Sequence, residues 1–155
     1  MSFSAVIDTP PGRLAITTDD YNLLALDYVD KRTALQQPDG ELARTTVEQL
    51  QRYFQDPAYT FHLPLKMAGT PHQLKVWEHL QRIKAGQTLT YGELALHINS
   101  GARAVGNSCR RNPISIIVPC HRVVSAHGIG GYGGHVSGKV LDRKSWLLRH
   151  ERVTI

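Results

Sequence analysis

Two cysteines, Cys109 and Cys120, are the candidate nucleophiles of this 155-residue chain. Cys120 lies in the segment Pro119-Cys120-His121-Arg122-Val123, where a histidine and an arginine follow it directly. The thiolate is the reactive form of cysteine, and a nearby positive charge or a histidine base favours its formation. The segment therefore predicts a nucleophilic thiol. A buried, inert cysteine is the alternative, and residue types alone leave both interpretations open.

The residues before Cys120 restrict how the thiol is presented. Asn112-Pro113 predicts the end of a helix, and the apolar run Ile114 to Val118 predicts a buried extended segment. Neighbours on an extended strand point to opposite faces. Cys120 and His121 therefore meet only if the chain turns here or a water bridges them, and Pro119 favours a turn.

A glycine-rich segment covers residues 128–134. Gly128, Gly130 and Gly133 match the spacing of a dinucleotide-binding loop, but such a site needs a strand before the loop and a second strand after the helix that follows it. The chain ends with a predicted helix over 139–151 and no second strand. We favour a flexible or closely approached loop that lets Tyr132 or bare backbone amides face a ligand.

Metal chemistry is not indicated by the sequence. It contains no C-x-x-C pair, and its eight histidines are scattered without ligand spacing. We expect no metal and no cofactor.

Two short helices in tandem are predicted upstream of the cysteine segment. Thr90 and Glu93 have the capping-box spacing at the start of the first helix. Asn99-Ser100-Gly101 predicts a tight turn, and the second helix is expected over Ala102 to Arg110. Two helices joined by such a turn are typical of a helix-turn-helix.

The second of these helices has two kinds of surface. Ala102, Val105 and Cys109 are expected to pack inward. The other side carries Arg103, Asn107 and Arg110, and the small residues Ala102, Ala104 and Gly106 would let a partner approach the backbone. Basic and small residues on an exposed helix indicate a DNA contact. A merely solvent-facing helix is the alternative.

The first half of the chain is expected to form a small sheet with one helix. Apolar residues alternate through residues 3–30, with a turn at residues 9–12, which predicts antiparallel hairpins. A helix over 40–55 and an edge strand over 60–65 follow, and a helix over 71–83 is expected to be capped by Thr70 and stopped by Gly86. The fold class is thus α/β (α+β), with an N-terminal domain over 1–68 and a mainly helical domain over 69–155.

Charge is divided unevenly along the chain. Residues 1–77 hold 7 Lys/Arg and 9 Asp/Glu, a net charge of −2, whereas residues 78–155 hold 11 and 4, a net charge of +7. The basic half is where a polyanion would dock. A solvated basic surface without a partner is the alternative.

No signal peptide and no apolar run of about 20 residues is present, so no membrane association is expected. Two cysteines in a chain of this length fit a reducing compartment. We expect a cytoplasmic protein without a disulfide.

Taken together, three segments resemble the signature of the O6-alkylguanine-DNA alkyltransferases (methylated-DNA–protein-cysteine methyltransferases). These are Pro119 to Val123, the upstream Arg111-Asn112-Pro113, and Ala102-Arg103-Ala104-Val105-Gly106. The similarity covers residues 70–151 strongly and residues 1–65 loosely. It implies an enzyme that repairs O6-alkylguanine, with O4-alkylthymine as a second substrate, by moving the alkyl group irreversibly onto its own cysteine once per molecule.

The resemblance also implies a role for each matching residue. Cys120 would accept the alkyl group, and His121, through a water, would form a proton relay with Glu151. Asn112 would brace the turn, Tyr91 would deliver a proton to the departing guanine, and Lys144 would help the leaving group. Val123, Tyr132 and the amide of Gly133 would hold the flipped base. Arg103 would enter the duplex in its place, with Ala102, Ala104 and Gly106 facing the minor groove of double-stranded DNA. The protein is expected to act as a monomer.

Some positions depart from the family pattern. His72 stands where an aromatic residue is common, and Lys84-Ala85-Gly86 replaces a more usual Pro-aromatic-Gly turn. Ser115 and Gly133 vary next to the pocket. These departures concern substrate range. The rival interpretations are a non-catalytic damage-sensing DNA-binding protein, in which the cysteine is commonly replaced by Trp, a helix-turn-helix transcription factor, and an inert basic domain.

Overall fold

The computed structural model describes residues 2–132 and 138–154, without the side chains at 139 and 140. It divides into two compact units. The first contains the residues up to Met67 together with Pro113–Ser115, and the second contains residues 68–112 and those from 116 onward. Among the described residues, no helix is long and apolar enough to cross a membrane.

The first unit is built on an antiparallel sheet in the order β1-β2-β3, as the alternation predicts. Its strands are β1 (Ala5–Thr9), β2 (Gly12–Thr18) and β3 (Leu23–Tyr28). Ala5 lies opposite Ile16, and Ile16 lies opposite Leu26, and all three are fully buried. The buried side chains of alternate positions therefore form one apolar face.

Helix α1 (Glu41–Gln55) packs against β1 and β2 and covers this sheet. Leu50 and Tyr53 are fully buried on its inner side. The expected edge strand over 60–65 is wrong, because only Leu65 forms an isolated bridge, with Leu23. Pro64 has no backbone N–H for a ladder, and the ring of Phe61 lies 5.5 Å from that of Tyr53.

The second unit begins with α2 (Pro71–Leu80). Thr70 caps it through a capping box with Gln73, so the predicted cap is confirmed. The helix ends at Leu80, earlier than the predicted residue 83. The amide of Ile83 bonds the carbonyl of Leu80, which tightens the chain into an i→i+3 turn. Gly86, with φ +87°, lies in the loop beyond this turn and does not stop the helix.

The predicted helix-turn-helix is present as α3 (Tyr91–His97) and α4 (Ala102–Arg110), which pack against each other. The capping box of Thr90 and Glu93 forms as expected. Val105 and Cys109 are buried, but Ala102 is exposed, so its predicted packing role is wrong. Ala102 is the first residue of α4, where its side chain is exposed to solvent.

The segment between α4 and Cys120 was predicted to be buried and extended. It is buried, but the prediction of an extended conformation is wrong. Ile114 forms an isolated bridge with Leu26, and the next residues make a turn in which Ile116 has φ +73°. Ile114, Ile116 and Val118 are all buried. Alternate burial thus comes from a turn rather than from a strand.

A short 3₁₀ helix (Cys120–Arg122) leads into β5 (Val123–Val124). β5 pairs in parallel with β4 (Leu89–Thr90), the strand that enters α3. Helix α5 (Lys139–His150) is the last helix among the described residues, and Glu151 is its C-cap.

Candidate active site

Cys120 is the first residue of the 3₁₀ helix, so the chain turns here, as Pro119 favoured. The residue is only 8% exposed, and its amide bonds the carbonyl of Val118 at 2.9 Å. Asn112 Nδ2 donates to the same carbonyl at 2.7 Å. The side chain of Asn112 therefore braces the turn that presents the thiol.

Glu151 is buried beside His121, although a glutamate at a helix end is usually solvated. Its Oε2 lies 2.8 Å from His121 Nε2. Arg122 donates from Nε to Oε1 at 2.8 Å and from Nη2 to Oε2 at 3.0 Å. The sequence suggested that Arg122 would act on the thiol, but its guanidinium is bound to this carboxylate and to the carbonyl of Ile83.

These contacts fix the protonation of the pair. Burial alone would raise the pKa of Glu151, but hydrogen bonds from His121 and Arg122 outweigh it and leave that pKa well below its usual value. Burial lowers the pKa of His121 from 6.5, and the hydrogen bond to Glu151 offsets this only in part. The imidazole is therefore neutral at pH 7, with its proton on Nε2, donated to the carboxylate.

The other ring nitrogen of His121 is consequently a basic atom. Nδ1 is buried and has no hydrogen-bond partner among the described residues. Burial raises the pKa of the Cys120 thiol, while a hydrogen bond with Asn112 and the charge of Lys144 act in the opposite direction. The resting thiol is thus protonated, and a base must remove its proton before it can attack. His121 Nδ1 is a base of the required kind on the adjacent residue.

Tyr91 and Lys144 meet at the carbonyl of Gly131. Lys144 Nζ donates to this oxygen at 2.9 Å and to the carbonyl of Val123 at 2.7 Å, and the Tyr91 hydroxyl donates to Gly131 at 3.4 Å. Burial lowers the pKa of Lys144 to about 8 and raises the pKa of Tyr91 to about 12. Tyr91 is therefore a neutral hydroxyl that can donate a proton, and Lys144 is a buried cation close to its neutral form.

The glycine-rich loop is closely approached at Gly130, which is one of the two alternatives that the sequence left open. Gly130 has φ +75°, and a Cβ there would lie 2.9 Å from Cε2 of Tyr91 and 3.1 Å from the amide of Ser125. Tyr132 is buried at the end of the described part of the loop. Gly133 lies outside the described residues, so its predicted contact with a base stays a prediction.

The outer surface of α4 carries the residues expected to contact DNA. Arg103, Ala102 and Ala104 are exposed, and Asn107 and Arg110 are exposed one to two turns further on. Gly106 is partly covered, with Cδ1 of Tyr91 3.9 Å from where its Cβ would lie. The same glycine therefore lies beside both the exposed helix surface and the tyrosine of the buried cluster.

Comparisons with known proteins identify the family of the chain. Residues 71–153 match the family model described as "6-O-methylguanine DNA methyltransferase, DNA binding domain", and residues 3–67 match the model of its ribonuclease-like domain. The chain belongs to the 6-O-methylguanine DNA methyltransferase family.

Individual members of the family match nearly the whole chain. A methylated-DNA–protein-cysteine methyltransferase of Mycolicibacterium paratuberculosis is 41% identical, over 94% of this chain and 90% of the relative. One of Methanosarcina acetivorans is 36% identical, over 96% of this chain and 97% of the relative. Among solved structures, Mycobacterium tuberculosis OGT in complex with DNA superposes with a TM-score of 0.81 at 38% identity, over 95% of this chain and 91% of that one.

Most of the predicted site residues of this 6-O-methylguanine DNA methyltransferase lie in its second unit. The second unit brings together Tyr91, Asn112, Cys120, His121, Val123, Lys144 and Glu151, while Arg103 lies on the exposed surface of α4. Over residues 2–132 and 138–154, no group of three or more His, Cys, Asp or Glu could hold a metal ion.

Sequence reasoning missed two features of this family member. The bidentate contact of Arg122 with Glu151 has no local signal, because the partners are 29 residues apart. Ser108, in the middle of α4, is 3% exposed and was not among the predicted packing residues. A polar residue on an otherwise apolar helix stripe was its only signal.

Proposed function

We propose that this protein repairs duplex DNA by moving an alkyl group from O6 of guanine onto Sγ of Cys120. The single observation that carries the mechanism is the buried series Arg122–Glu151–His121. His121 follows Cys120 directly, and its buried Nδ1 has no hydrogen-bond partner in the described part of the chain. Family membership supplies the substrate class, since the relatives are methylated-DNA–protein-cysteine methyltransferases.

His121 generates the nucleophile. Nδ1 takes the thiol proton of Cys120 through one water, as the resemblance implies, and Glu151 stabilises the resulting imidazolium through Nε2–H. A buried Nδ1 needs a hydrogen-bond partner, and a single water would meet that need. Because Arg122 keeps Glu151 in the carboxylate form, its negative charge remains available to stabilise the imidazolium.

The transfer itself is an in-line displacement at the alkyl carbon. The Sγ–C bond forms as the C–O6 bond breaks, and the electrons of that bond stay on guanine O6. Guanine leaves as the neutral base when Tyr91 supplies a proton to it. The high pKa of Tyr91 keeps its hydroxyl protonated until that moment. Lys144 adds positive charge to the same region and ties Val123 and Gly131 in place.

The alkyl carbon is inaccessible inside a stacked duplex, so the base must be flipped out. Extrusion costs a few kcal/mol. In this proposal Arg103 enters the stack from the minor groove and offsets part of that cost, while Ala102, Ala104 and Gly106 allow the backbone to come close. Val123, Tyr132 and Gly133 then hold the base beside Cys120. The thioether product is stable, so each molecule acts once and needs no cofactor.

A cytoplasmic location is part of the proposal. Both cysteines of the structure are free thiols, and free thiols fit a reducing compartment. The relatives are named methylated-DNA–protein-cysteine methyltransferases, and a DNA substrate supports a location inside the cell.

The test is intact mass after incubation with a duplex that carries one O6-methylguanine, followed by peptide mapping. We expect a gain of about 14 Da that stops at one per molecule and maps to Cys120. Cys109→Ala is the matched control and should gain the same mass, whereas Cys120→Ala should gain none and still bind the duplex. A duplex with O4-methylthymine tests the second substrate in the same way.

The result also separates the rival functions. No mass gain together with preferential binding of the damaged duplex would replace the transferase with a non-catalytic damage sensor. Binding that depends on the sequence of an undamaged duplex and ignores the lesion would indicate a transcription factor.

A further inference from the structure

His72, in the first turn of α2, contacts two serines of the helix-turn-helix at once. Its Nδ1 lies 2.9 Å from Oγ of Ser108 on α4. Its Nε2 lies 2.8 Å from Oγ of Ser100, in the turn that joins α3 to α4. One imidazole therefore occupies both of its ring nitrogens with hydroxyls from the turn and from the helix that follows it.

Ser108 is held by α2 in a second way. Nε1 of Trp77 donates to its backbone carbonyl at 2.8 Å. Because Ser108 is only 3% exposed, solvent cannot easily replace a hydrogen bond to its hydroxyl. Ser100 is half-buried, so water can replace His72 there at lower cost. The two bonds of His72 thus differ in what their loss would do to stability.

The two serines lie near opposite ends of α4. Ser100 is two residues before Ala102, and Ser108 is in the last turn of the helix. Fixing both therefore fixes the position and the direction of α4 against α2. The exposed surface of α4 carries Arg103 and Arg110, and contacts to phosphates and bases form together only when the helix that carries them is correctly aligned.

We propose that His72 is a positioning residue for DNA binding, which holds the helix-turn-helix in register through its paired hydrogen bonds to Ser100 and Ser108. The inference rests on the proposed function, because it assumes that α4 contacts DNA. An imidazole and a hydroxyl can each donate and accept, so the bonds close whichever ring nitrogen carries the proton. An aromatic ring of similar size would fill the space but would hold neither serine.

The experiment compares affinity for an undamaged duplex, by fluorescence anisotropy, with thermal unfolding. His72→Phe should weaken binding about tenfold, which corresponds to about 1.4 kcal/mol, and should lower Tm because the Ser108 hydroxyl loses its partner. His72→Phe/Ser108→Ala should recover Tm, since both polar partners are then removed, but should not recover affinity. Ser100→Ala alone should weaken binding about threefold to tenfold with little change in Tm.

Two further variants serve as controls. His72→Gln keeps a donor and an acceptor and should stay within about threefold of the wild-type affinity. His79→Phe changes the same residue type on the same helix, where the ring bonds only the carbonyl of Lys75 among the contacts described. It should leave affinity unchanged.

The rate of reaction with free O6-benzylguanine separates this inference from the proposed function. That rate should be unchanged in His72→Phe, because no contact of Cys120 is altered. Affinity that follows Tm in every variant, or His72→Phe binding within twofold of wild type, would overturn the positioning role. A wild-type protein that binds duplex but never reacts would refute the transfer, and the affinity series would still decide the role of His72.

Discussion

Arg122 and Glu151 form a bidentate ion pair inside the protein, with distances of 2.8 and 3.0 Å between the guanidinium nitrogens and the carboxylate oxygens. The glutamate side chain is fully buried and the arginine side chain is 11% exposed. The same carboxylate accepts from His121 at 2.8 Å. One buried anion therefore joins a structural cation to the proposed catalytic base.

Arg122→Leu should destabilise the protein strongly, because it leaves Glu151 buried without its cation. Breaking a buried pair in this way costs about 3–5 kcal/mol, and denaturant unfolding at pH 7 measures it. Arg82→Leu is the matched control, since the Arg82–Glu78 pair is exposed and such pairs contribute about 1 kcal/mol or less. Transfer from free O6-benzylguanine should also slow in Arg122→Leu and not in Arg82→Leu. Equal destabilisation by both changes would show that the buried ion pair contributes no more to the free energy of unfolding than the exposed one.

The rate of alkyl transfer should fall in acid only below the ordinary histidine pKa. Burial depresses the pKa of His121 beneath 6.5, so the imidazole stays neutral and basic as the pH is lowered through that value. The transfer rate with free O6-benzylguanine, measured from pH 5 to 8, should hold its plateau down to about 6.5. An acid limb centred above pH 6.5, in a protein that is still folded by circular dichroism, would contradict a buried neutral base.

The thermal stability of the fold should also decline as the pH is lowered from 7 to 4. A group whose pKa is lower in the folded than in the unfolded state stabilises the fold at a pH above its unfolded-state pKa. This stabilisation is lost as the pH falls through its folded-state pKa. For His121 the loss begins near pH 6.5, and for Glu151, whose pKa is also lowered, it begins near 4.5. Tm measured from pH 7 to 4 should therefore decrease continuously. A Tm that does not change over this range would mean that neither group is held in the protonation state described here.

Much of this site could be predicted because its signals are local in the sequence. Capping boxes at Thr70 and Thr90 need residues only three positions apart, and both form. The turn at Pro119 and Cys120 was likewise indicated by a single proline. The contact of Glu151 with His121 came only from the family resemblance, because a pair 30 residues apart leaves no periodic pattern.

The errors have a common physical origin. The run from Ile114 to Val118 is apolar enough for a strand, but most of it finds no ladder partner and instead turns, with Ile116 at φ +73°. Hydrophobicity reports burial and does not report which backbone conformation achieves it. The expected strand over 60–65 failed for the same reason, because the aromatic ring of Phe61 packs on Tyr53 without strand pairing.

Gly130→Ala should damage the site, whereas Gly128→Ala should be tolerated. At Gly130 the backbone has φ +75° and a new methyl group would meet the Tyr91 ring at 2.9 Å, while at Gly128 nothing lies within 4 Å. We expect Gly130→Ala to cost about 1–3 kcal/mol of stability. It should also slow transfer by displacing Tyr91 or the loop carbonyl that binds Lys144. Tm and the free-base transfer rate measure the two effects. Similar behaviour of both variants would show that the close contact with Tyr91 does not exclude a side chain at residue 130.

Lys144 should make the stability of the protein depend on pH in the alkaline range. Its side chain is fully buried, and burial lowers its pKa from 10.5 to about 8. Between these values the unfolded chain binds a proton that the folded protein does not, so stability rises with pH. The contribution of this group is complete above 10.5 and is lost as the pH falls through 8.

Lys144→Met keeps much of the apolar stem and cannot titrate, which makes it the reference. The free energy of unfolding of the wild type minus that of Lys144→Met should therefore increase by about 1–2 kcal/mol from pH 7.5 to 9.5. A difference that stays constant across this range would mean that Lys144 keeps an ordinary pKa, and that the two carbonyls of Val123 and Gly131 are held by a fully charged ammonium group at every pH at which the protein works.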